Sequence, residues 1–480
     1  MSKKFRYMWI GLTVLLLIVL GGCYSDSTAV QNKVADTKLA ANTINNDAFK
    51  DLFPLQYNSY YSVTSDTTDT KYGGSVRRPK SDPDKEPLLP ALFLGYLFSL
   101  DYKEDRGHPF AVEDMVGENR TLRVGNNEKQ IGGCLSCKST AVPELIEKMG
   151  TDYYSGSFLK EIVPIAEEMG HSPIGCSDCH DPQTMELRIT RQYAETGFEK
   201  MGIDWKTASK NEMRSLVCAQ CHVEYYFADE GKVVTYPWDE GTTADDMWTY
   251  YEKYQDTGVY EKDYVSPISG SKIIKMQHPD YETYKQGPHY RAGVSCSDCH
   301  MSYNVQDGTK FSTHAWTSPL KTIETSCKTC HSEKTVQELS DSVGIIQDKH
   351  ISSLHEAQGF NIKAHYYANR MITLGADESK IAEVQHLIRK GQMYWDYVAA
   401  ESGAGFHAPQ VGMENTKKST VASMEAIEIA TIELVKLGQD MGKLNAEIDE
   451  TIQKIKDEQD STKKRDHALN EYFPDVTKTE

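Results

Sequence analysis

The spacing of apolar residues differs between the two halves of this chain. Between Phe53 and Trp316 no helical or strand period persists, which predicts short helices and loops with little β-structure. Further on, apolar residues recur at helical spacing, at Ile381, Val384, Ile388, Trp395 and Val398. We therefore expect a mainly α fold with long C-terminal helices.

A near-heptad seam follows this stretch. Its members are Met424, Ile427, Leu434, Met441, Leu444, Ile448 and Ile455. Such a seam fits helices packed on their own domain, or an interface between two copies of the chain. We favour the second interpretation and expect a homodimer. Residues 458–480 are strongly charged, and we expect a frayed tail there.

The first 23 residues have the composition of an export signal. Three basic residues within positions 3–6 precede an apolar run, which ends in Leu-Gly-Gly-Cys23. This order is typical of a signal peptide, and its ending is similar to a lipobox in which Cys23 is lipidated. An uncleaved signal anchor is the alternative, although the run is short for a membrane span. We expect an exported protein on the periplasmic side of the cytoplasmic membrane, with residues 24–48 as a flexible tether.

Composition excludes some classes of function. The 480 residues include 52 Lys and Arg against 70 Asp and Glu, which gives a formal net charge of -18. Nucleic-acid binding needs an excess of positive charge, so we expect no nucleic-acid partner. With 39% hydrophobic and 25% charged residues, the chain is typical of globular proteins.

The cysteines follow a single pattern. Apart from Cys23, all of them fall into five C-x-x-C pairs, which are Cys134/Cys137, Cys176/Cys179, Cys218/Cys221, Cys296/Cys299 and Cys327/Cys330. Four pairs are followed directly by histidine, at His180, His222, His300 and His331. C-x-x-C-H is the attachment motif of c-type haem, in which the thiols bind the porphyrin and the histidine binds the iron.

Zinc and disulfides are the alternative interpretations of these pairs. Zinc ribbons use paired C-x-x-C motifs, but their ligand sets do not require a histidine after each pair. A C-x-x-C disulfide closes a very small loop and suits redox exchange better than structural cross-linking. We therefore expect covalent haem at the four C-x-x-C-H motifs.

The first pair differs, because Lys138 stands where the others have histidine. A lysine binds iron only through its neutral amine, so its pKa must fall from about 10.4. A different ligand at one haem of five suggests different chemistry there, most simply substrate binding on an open face. The alternative is that Cys134 and Cys137 hold no haem.

One C-x-x-C-K motif before four C-x-x-C-H motifs resembles the pentahaem cytochrome c nitrite reductases, which form ammonia. The stretch from Cys218 to Phe227 and the stretch Lys275-Met-Gln-His-Pro-Asp-Tyr-Glu282 also look like that family. Short matches around His108 and His407 extend the resemblance, which covers about Phe53 to Pro409. The resemblance implies a multihaem cytochrome c fold with haems packed in the core.

The resemblance also implies the second axial ligands of four haems. These are His314 for the second haem, His108 for the third, His407 for the fourth and His289 for the fifth. Five further histidines are expected to be ordinary surface or core residues, namely His350, His355, His365, His386 and His467. The family pattern gives His171 no role.

For the open side of the haem held by Lys138, the resemblance implies three catalytic residues. His278 and Tyr225 would supply protons and hydrogen bonds to nitrite, which loses its oxygens as water. Arg123 would hold the anion, with Arg120 as the alternative. Four haems would deliver the electrons.

A calcium ion is the last cofactor that the resemblance implies. Its ligands would come from Glu224, Tyr225, Lys275 and Gln277, which offer the hard oxygen atoms that calcium prefers. Lys275 would act through its carbonyl oxygen. The ion would brace the segments that carry Tyr225 and His278.

These inferences divide the chain into a multihaem catalytic region at 49–370 and a long-helix region at 371–457, which holds the last distal histidine and the dimer interface. The expected function is six-electron reduction of nitrite by an oxidoreductase of nitrogen metabolism. A membrane quinol-oxidising tetrahaem cytochrome would be the electron donor. The alternatives are an electron-transfer carrier, or a reductase of hydroxylamine or sulfite.

Overall fold

The computed structural model describes residues 36–73, 86–99, 102–103, 106–118 and 130–470. Within these ranges the chain is mainly helical, as the sequence predicts. The predicted signal peptide, Cys23, Arg120 and Arg123 lie outside the described residues. No helix in the described part is both long enough and apolar enough to cross a membrane.

The first part of the described chain consists of short helices joined by loops. They are α1 (Pro54–Ser62), α2 (Leu89–Leu92), α3 (Ala111–Val116), α4 (Val142–Met149), α5 (Asp152–Ser155), α6 (Val163–Glu168), α7 (Cys176–Cys179), α8 (Gln192–Lys200), α9 (Lys210–Leu216), α10 (Ala244–Tyr254), α11 (Asp280–Lys285), α12 (Pro288–Arg291) and α13 (Cys296–His300). These short helices explain the weak periodicity of the region, since none of them is long enough to repeat an apolar stripe several times.

Three antiparallel ribbons complete this region. β1 (Tyr226–Phe227) pairs with β2 (Val234–Thr235), β3 (Tyr264–Val265) pairs with β4 (Lys272–Ile273), and β5 (Tyr303–Gln306) pairs with β6 (Thr309–Ser312). In the first ribbon Tyr226 lies opposite Thr235. This ribbon matters for the site, because it begins directly after Tyr225.

Long helices form the C-terminal part. They are α14 (Val336–Thr373), α15 (Glu378–Ala400), α16 (Pro409–Lys436), α17 (Met441–Asp457) and α18 (Ser461–Asn470). Thr335 and Glu338 form a capping box at the start of α14, and Asp377 caps α15 by accepting from the backbone N–H of Ser379 and Lys380. The long-helix part therefore begins at Val336, earlier than the boundary at residue 371 that the sequence suggests.

The predicted apolar stripe of α15 faces the core. Val384, Ile388 and Trp395 have no exposed side-chain surface, and Val398 is 3% exposed. They pack against α14 and α16, so these three successive helices share one apolar core. Burial of each such side chain contributes about 1.5–3 kcal/mol.

The heptad seam has a different role from the one that we predicted. Leu434, Leu444, Ile448 and Ile455 are at most 1% exposed within the single chain. They fill the chain's own core, because α16 ends at Lys436 and α17 packs back on α14, where Lys363 bonds Asp449 and Arg370 bonds Glu447. The seam therefore does not form one continuous surface for a second copy.

Two segments that were expected to be loose are partly ordered. Residues 36–48 belong to the predicted tether, yet Asn46 is buried and its Oδ1 accepts from the backbone N–H of Cys176 at 3.0 Å. In the predicted tail, Lys464 is buried and its Nζ donates to the carbonyl of Ile455 at 2.7 Å. Both segments dock because a polar side chain satisfies backbone groups of the main body.

Candidate active site and cofactor sites

Each C-x-x-C pair lies on or beside a short helical turn. α7 and α13 contain two pairs, and 3-10 turns begin at Gly132 and at Cys327 beside two others. In a helical turn, residues three apart share one face, so both thiols of a pair can reach the same group. None of the ten cysteines of the described residues forms a disulfide, which argues against that interpretation of the pairs.

Cys330 departs from the burial expected of a residue that holds a haem packed in the core. It is exposed, whereas the other nine attachment cysteines are half-buried. His331 and the residues after it, as far as Glu338, are exposed as well. The cause is the position of this motif, because it ends the short-helix region and leads into the start of α14, where little of the described chain packs over it. The expectation is therefore corrected for Cys330, whose thiol lies at the surface, so a fifth haem bound there would have an edge open to solvent.

The zinc interpretation also fails on geometry. Within the described part of the chain, Asp280, Glu401 and His407 form the one group of three or more acidic, cysteine or histidine residues close enough to share a metal ion. No cysteine pair belongs to it. A structural zinc site needs four such ligands.

Histidines meet in pairs that suit one iron between them. The ring centres of His180 and His314 are 6.3 Å apart, those of His300 and His407 are 6.3 Å apart, and those of His289 and His331 are 6.4 Å apart. An imidazole nitrogen lies about 2.0–2.1 Å from its metal, so two rings on opposite sides of one ion have centres roughly 6 Å apart. These residues therefore fit bis-histidine haems at the second, fourth and fifth motifs.

A braced turn carries His108. Gly107, with φ +106°, lies in a region that favours glycine, and Arg106 bonds Asp114 at 2.7 Å. The ring of His108 lies 4.4 Å from that of Trp316, which also contacts His314 at 5.1 Å. The structure thus places the histidine predicted for the third haem beside a ligand predicted for the second.

Thiols of different pairs also meet. The thiol of Cys137 lies beside that of Cys221, and the thiol of Cys218 lies beside that of Cys296. The third motif therefore lies directly between the first and the fourth.

The ring nitrogens that face away from these centres have different partners. Nδ1 of His180, His314 and His300 donates to the carbonyls of Met185, Ser312 and Thr317, at 2.8, 3.0 and 3.1 Å. Since a carbonyl only accepts, each Nδ1 carries the hydrogen and each Nε2 is free to bind metal.

Two other histidines face carboxylates instead. Nδ1 of His222 lies 3.0 Å from Oδ2 of Asp280, and Nδ1 of His407 lies 2.5 Å from Oε1 of Glu401. Burial opposes the charge of Asp280, but His222 outweighs it and holds the pKa of that carboxyl well below its usual range. The sequence analysis assigned no role to Asp280 or Glu401.

The turn that contains Lys138 is held by a buried arginine. Nε of Arg191 donates to the carbonyl of Ser136 and its Nη2 donates to that of Ser139, both at 2.9 Å. Arg191 is 1% exposed and also pairs with Asp178 at 2.7 Å. It fixes the backbone on both sides of Lys138. As a single arginine far from the motif, it gave no signal in the sequence.

Tyr225 and His278 lie side by side at this first site. Their ring centres are 6.5 Å apart and their planes differ by 23°. Burial raises the pKa of the Tyr225 phenol well above its usual value, with the thiols of Cys137 and Cys134 adding to the effect. The phenol therefore keeps its proton at neutral pH and can donate a hydrogen bond.

The segments that hold these two rings are tied together by four hydrogen bonds. Glu224 accepts from the N–H of Gln277 at 2.6 Å, and its own N–H donates to Glu282 at 2.8 Å. The carbonyl of His222 accepts from the N–H of Tyr281 at 3.0 Å, and the His222–Asp280 contact is the fourth link. Relative motion of Tyr225 and His278 is limited by this ladder.

The residues predicted to bind calcium also meet. Gln277 Nε2 donates to the carbonyl of Lys275 at 3.0 Å, and Glu224 has no exposed surface. Burial raises the pKa of the Glu224 carboxyl well above its usual range, so its ionised form needs a nearby cation. Rotation of the Gln277 side-chain amide would exchange the positions of its nitrogen and oxygen, so that the oxygen could bind a cation. The set fits a hard cation.

Lys275 itself does not supply that cation. Its Nζ bonds Asp396 at 3.0 Å and lies 5.1 to 5.4 Å from the rings of three aromatic residues, Phe93, Phe98 and Tyr102. Asp396 also accepts from the N–H of Met276 at 2.9 Å. The ammonium is thus held by other partners, and the carbonyl of Lys275, which accepts from Gln277, stays the predicted ligand atom.

Comparisons with known proteins agree with this geometry. A family model described as cytochrome c552 matches residues 45–479. The chain is 38% identical over 457 residues to the cytochrome c nitrite reductase subunit NrfA of Nitratidesulfovibrio vulgaris, across 89% of this chain and 86% of that protein. It is also 38% identical over 426 residues to cytochrome c-552 of Bacteroides thetaiotaomicron, across 85% of this chain and 83% of that one.

A solved structure is similar as well. The cytochrome c nitrite reductase from Desulfovibrio desulfuricans, described as a catalytic subunit with two calcium sites, superposes with a TM-score of 0.78 at 36% identity. The match covers 85% of this chain and 91% of that chain.

Proposed function

This chain belongs to the cytochrome c552 family, and we propose that it reduces nitrite to ammonia at the site formed by Cys134, Cys137 and Lys138. The observation that carries the proposal is the position of Tyr225 and His278. Their rings are 6.5 Å apart, and Tyr225 lies close to the thiols of this first pair. A site that only transferred electrons would need neither residue.

Haem c at this site would bind nitrite and pass electrons to it, one at a time. The chain's own residues would do the rest. Lys138 would hold the group from one side as a neutral amine, on a turn fixed by Arg191. Conversion to ammonium takes six electrons and eight protons, so the site also needs proton donors.

His278 and Tyr225 would supply this proton chemistry. A histidine exchanges protons near neutral pH, and a phenol with a raised pKa remains a hydrogen-bond donor. Arg123, which lies outside the described residues, would hold the nitrite oxygens through its guanidinium, with Arg120 as the alternative. A calcium ion at Glu224, Tyr225, Lys275 and Gln277 would hold the segments of both rings in place.

Four further haems would feed this site. Their axial pairs would be His180 with His314, His222 with His108, His300 with His407, and His331 with His289. Export, lipidation at Cys23 and a membrane tetrahaem cytochrome as donor would place the enzyme at the periplasmic face of the cytoplasmic membrane.

An exposed face of α16 supports a homodimer. Five apolar side chains on this face are 43 to 56% exposed, namely Met413, Val421, Met424, Ile432 and Val435. They share one side of the helix, and a second copy of the same face would cover them. Val421→Glu with Ile432→Glu should give a monomer by light scattering. Ile372→Glu, at a residue 43% exposed on α14, is the matched control.

The test of the function is turnover by the purified holoprotein. We expect five haems per chain by pyridine haemochrome, and stoichiometric ammonium when reduced dye is oxidised by nitrite. Lys138→His should keep five haems and lose most nitrite turnover. Five haems without turnover would favour a carrier, or a reductase of hydroxylamine or sulfite. Four haems would remove the first site from the proposal.

A further inference from the structure

The third and fourth haem sites differ from the second in what their histidines touch. His222, the ligand after the third motif, faces Asp280 at 3.0 Å, and His407, opposite the fourth motif, faces Glu401 at 2.5 Å. At the second site both ligands, His180 and His314, donate to backbone carbonyls instead. The difference is one of charge, since a carboxylate is an anion and a carbonyl is neutral.

From this contrast we propose that Asp280 and Glu401 lower the reduction potentials of the third and fourth haems, which makes these two the strongest reductants next to the catalytic site. The inference rests on the proposed haem ligation and not on nitrite as the substrate. Asp280 and Glu401 are positioning and tuning residues, because they act through the histidines and do not touch substrate.

The physical cause is the hydrogen on Nδ1. A carboxylate that accepts this hydrogen gives the ring partial imidazolate character and makes Nε2 a stronger donor to iron. A stronger donor and a nearby negative charge both favour ferric over ferrous iron, so the potential falls. A backbone carbonyl polarises the ring much less.

Both carboxylates are held in a buried and directed arrangement. Asp280 is 7% exposed and Glu401 is 4% exposed. Glu401 accepts from the backbone N–H of Gly403 at 2.8 Å and of Gly405 at 2.9 Å, in the loop that leads to His407. These bonds hold the Glu401 carboxylate beside its histidine, with Oε1 at 2.5 Å from Nδ1 of His407.

Ser402 links the two pairs. It follows Glu401 in the chain, and its backbone N–H donates to Oδ1 of Asp280 at 2.7 Å. Its hydroxyl donates to Oδ2 of Asp280 at 3.2 Å, the same oxygen that His222 faces. The hydroxyl therefore competes with the imidazole for one oxygen and moderates its pull on the Nδ1 hydrogen.

The positions of the third and fourth sites explain how lower potentials there would serve the first site. The third motif lies beside the first at Cys221 and Cys137, and it lies beside the fourth at Cys218 and Cys296. Low potentials at these positions would keep strongly reducing electrons beside the catalytic haem. Haems at the second and fifth sites would be reduced first.

The test is a redox titration of the holoprotein, followed by optical absorption and by the electron paramagnetic resonance signals of the low-spin haems. Asp280→Asn should raise the potential of one component, and Glu401→Gln should raise that of a different one. Asp280→Glu should keep the wild-type value. Glu282→Gln, which changes another buried acid on α11 that touches no haem ligand, should move none.

Ser402→Ala provides a change of opposite sign. Removing the hydroxyl leaves Oδ2 of Asp280 a stronger acceptor for His222, so the potential of the same component should fall. A merely structural role would not produce shifts of opposite sign from Asp280→Asn and Ser402→Ala. If Asp280→Asn does not retain five haems, Ser402→Ala tests the potential of the same component.

The inference is overturned if Ser402→Ala and Glu401→Gln, each with five haems, leave every potential unchanged, or if one variant shifts all components equally. Failure of the proposed function is separate. If the wild type does not turn over nitrite, the predicted shifts still hold. If nitrite is reduced at full rate but no potential moves, the tuning alone is wrong.

Discussion

Oε1 of Glu282 accepts a hydrogen bond of 2.8 Å from the backbone N–H of Glu224. The same oxygen accepts from Nε1 of Trp238 at 2.9 Å. Glu282 has no exposed surface, and its second oxygen has no hydrogen-bond partner. A buried acid on α11 thus fixes the backbone next to Tyr225, four residues after His278 in the chain.

Two substitutions of Glu282 distinguish the role of its hydrogen-bonding oxygen from the role of its acidity. Glu282→Gln keeps an oxygen for both donors, so we expect folding and turnover close to wild type. Glu282→Leu leaves two buried donors unpaired, which costs about 1–3 kcal/mol for each. Its kcat should fall while the haem count stays constant, because Tyr225 loses its support. Equal kcat values for the two variants would contradict this role.

The acidity of Glu282 predicts a pH dependence of stability. Burial raises the pKa of this carboxyl from 4.5 to about 8. Between these values the folded state holds a proton that the unfolded state releases, so the free energy of unfolding falls as pH rises through this window. The contribution has a slope of at most about 1.4 kcal/mol per pH unit.

Glu282→Gln should remove this part of the slope. The measurement is denaturant unfolding of both proteins between pH 5 and pH 8 at a fixed, saturating calcium concentration. The difference between wild type and variant should change steadily across this pH range. A constant difference would show that Glu282 is already ionised in the folded protein.

The sequence predicts those parts of the site that are encoded by neighbouring residues. Cys134, Cys137 and Lys138 stand together in one motif, because the proposed covalent attachment and iron ligand would come from the same turn. The helix over α15 was likewise predicted, since its apolar residues repeat along one face. Both are local patterns that a single segment can show.

The exposure of Cys330 is a property that such a local pattern does not predict. The motif from Cys327 to His331 has the same spacing as the other three C-x-x-C-H motifs, so it predicts the same chemistry at each. How deeply each motif is buried depends on the elements that pack around it, and the motif carries no information about them. Cys330 therefore lies at the surface, although its motif does not differ from those that are half-buried.

The residues that sequence analysis missed act across long separations. Asp280 lies 58 residues from His222, and Arg191 lies 55 residues from Ser136. No spacing rule connects such pairs, because only the tertiary fold brings them together. The seam at Leu434 and Leu444 failed for another reason, since a heptad pattern is the same whether the partner helix belongs to the same chain or to a second copy.

Arg191 should be essential for stability. In Arg191→Ala, Asp178 would remain as a buried carboxylate without its partner, which costs about 3–5 kcal/mol. Arg191→Lys keeps the charge but cannot reach the carbonyls on both sides of Lys138 as a planar fork does. We expect an intermediate loss of stability and an altered absorption of the haem held by Lys138.

The control for this prediction is Arg188→Lys, on the same segment. Arg188 is partly exposed and lies 3.8 Å from Asp181, so its replacement should cost no more than about 1 kcal/mol. Denaturant midpoints compare the three variants. If Arg191→Ala is as stable as Arg188→Lys, the buried pair does not support the turn.

Calcium removal should weaken the protein through Glu224. At a free calcium concentration of 100 times Kd, binding stabilises the folded state by about 2.7 kcal/mol, and a chelator removes that stabilisation. Glu224→Gln keeps the shape of the side chain but loses the charge that holds the ion, so its unfolding midpoint should not respond to the chelator. Glu230→Gln changes an exposed acid after β1 and should respond as wild type does. If Glu224→Gln loses as much stability on chelation as wild type, the ion binds elsewhere, and the ladder between Tyr225 and His278 holds without it.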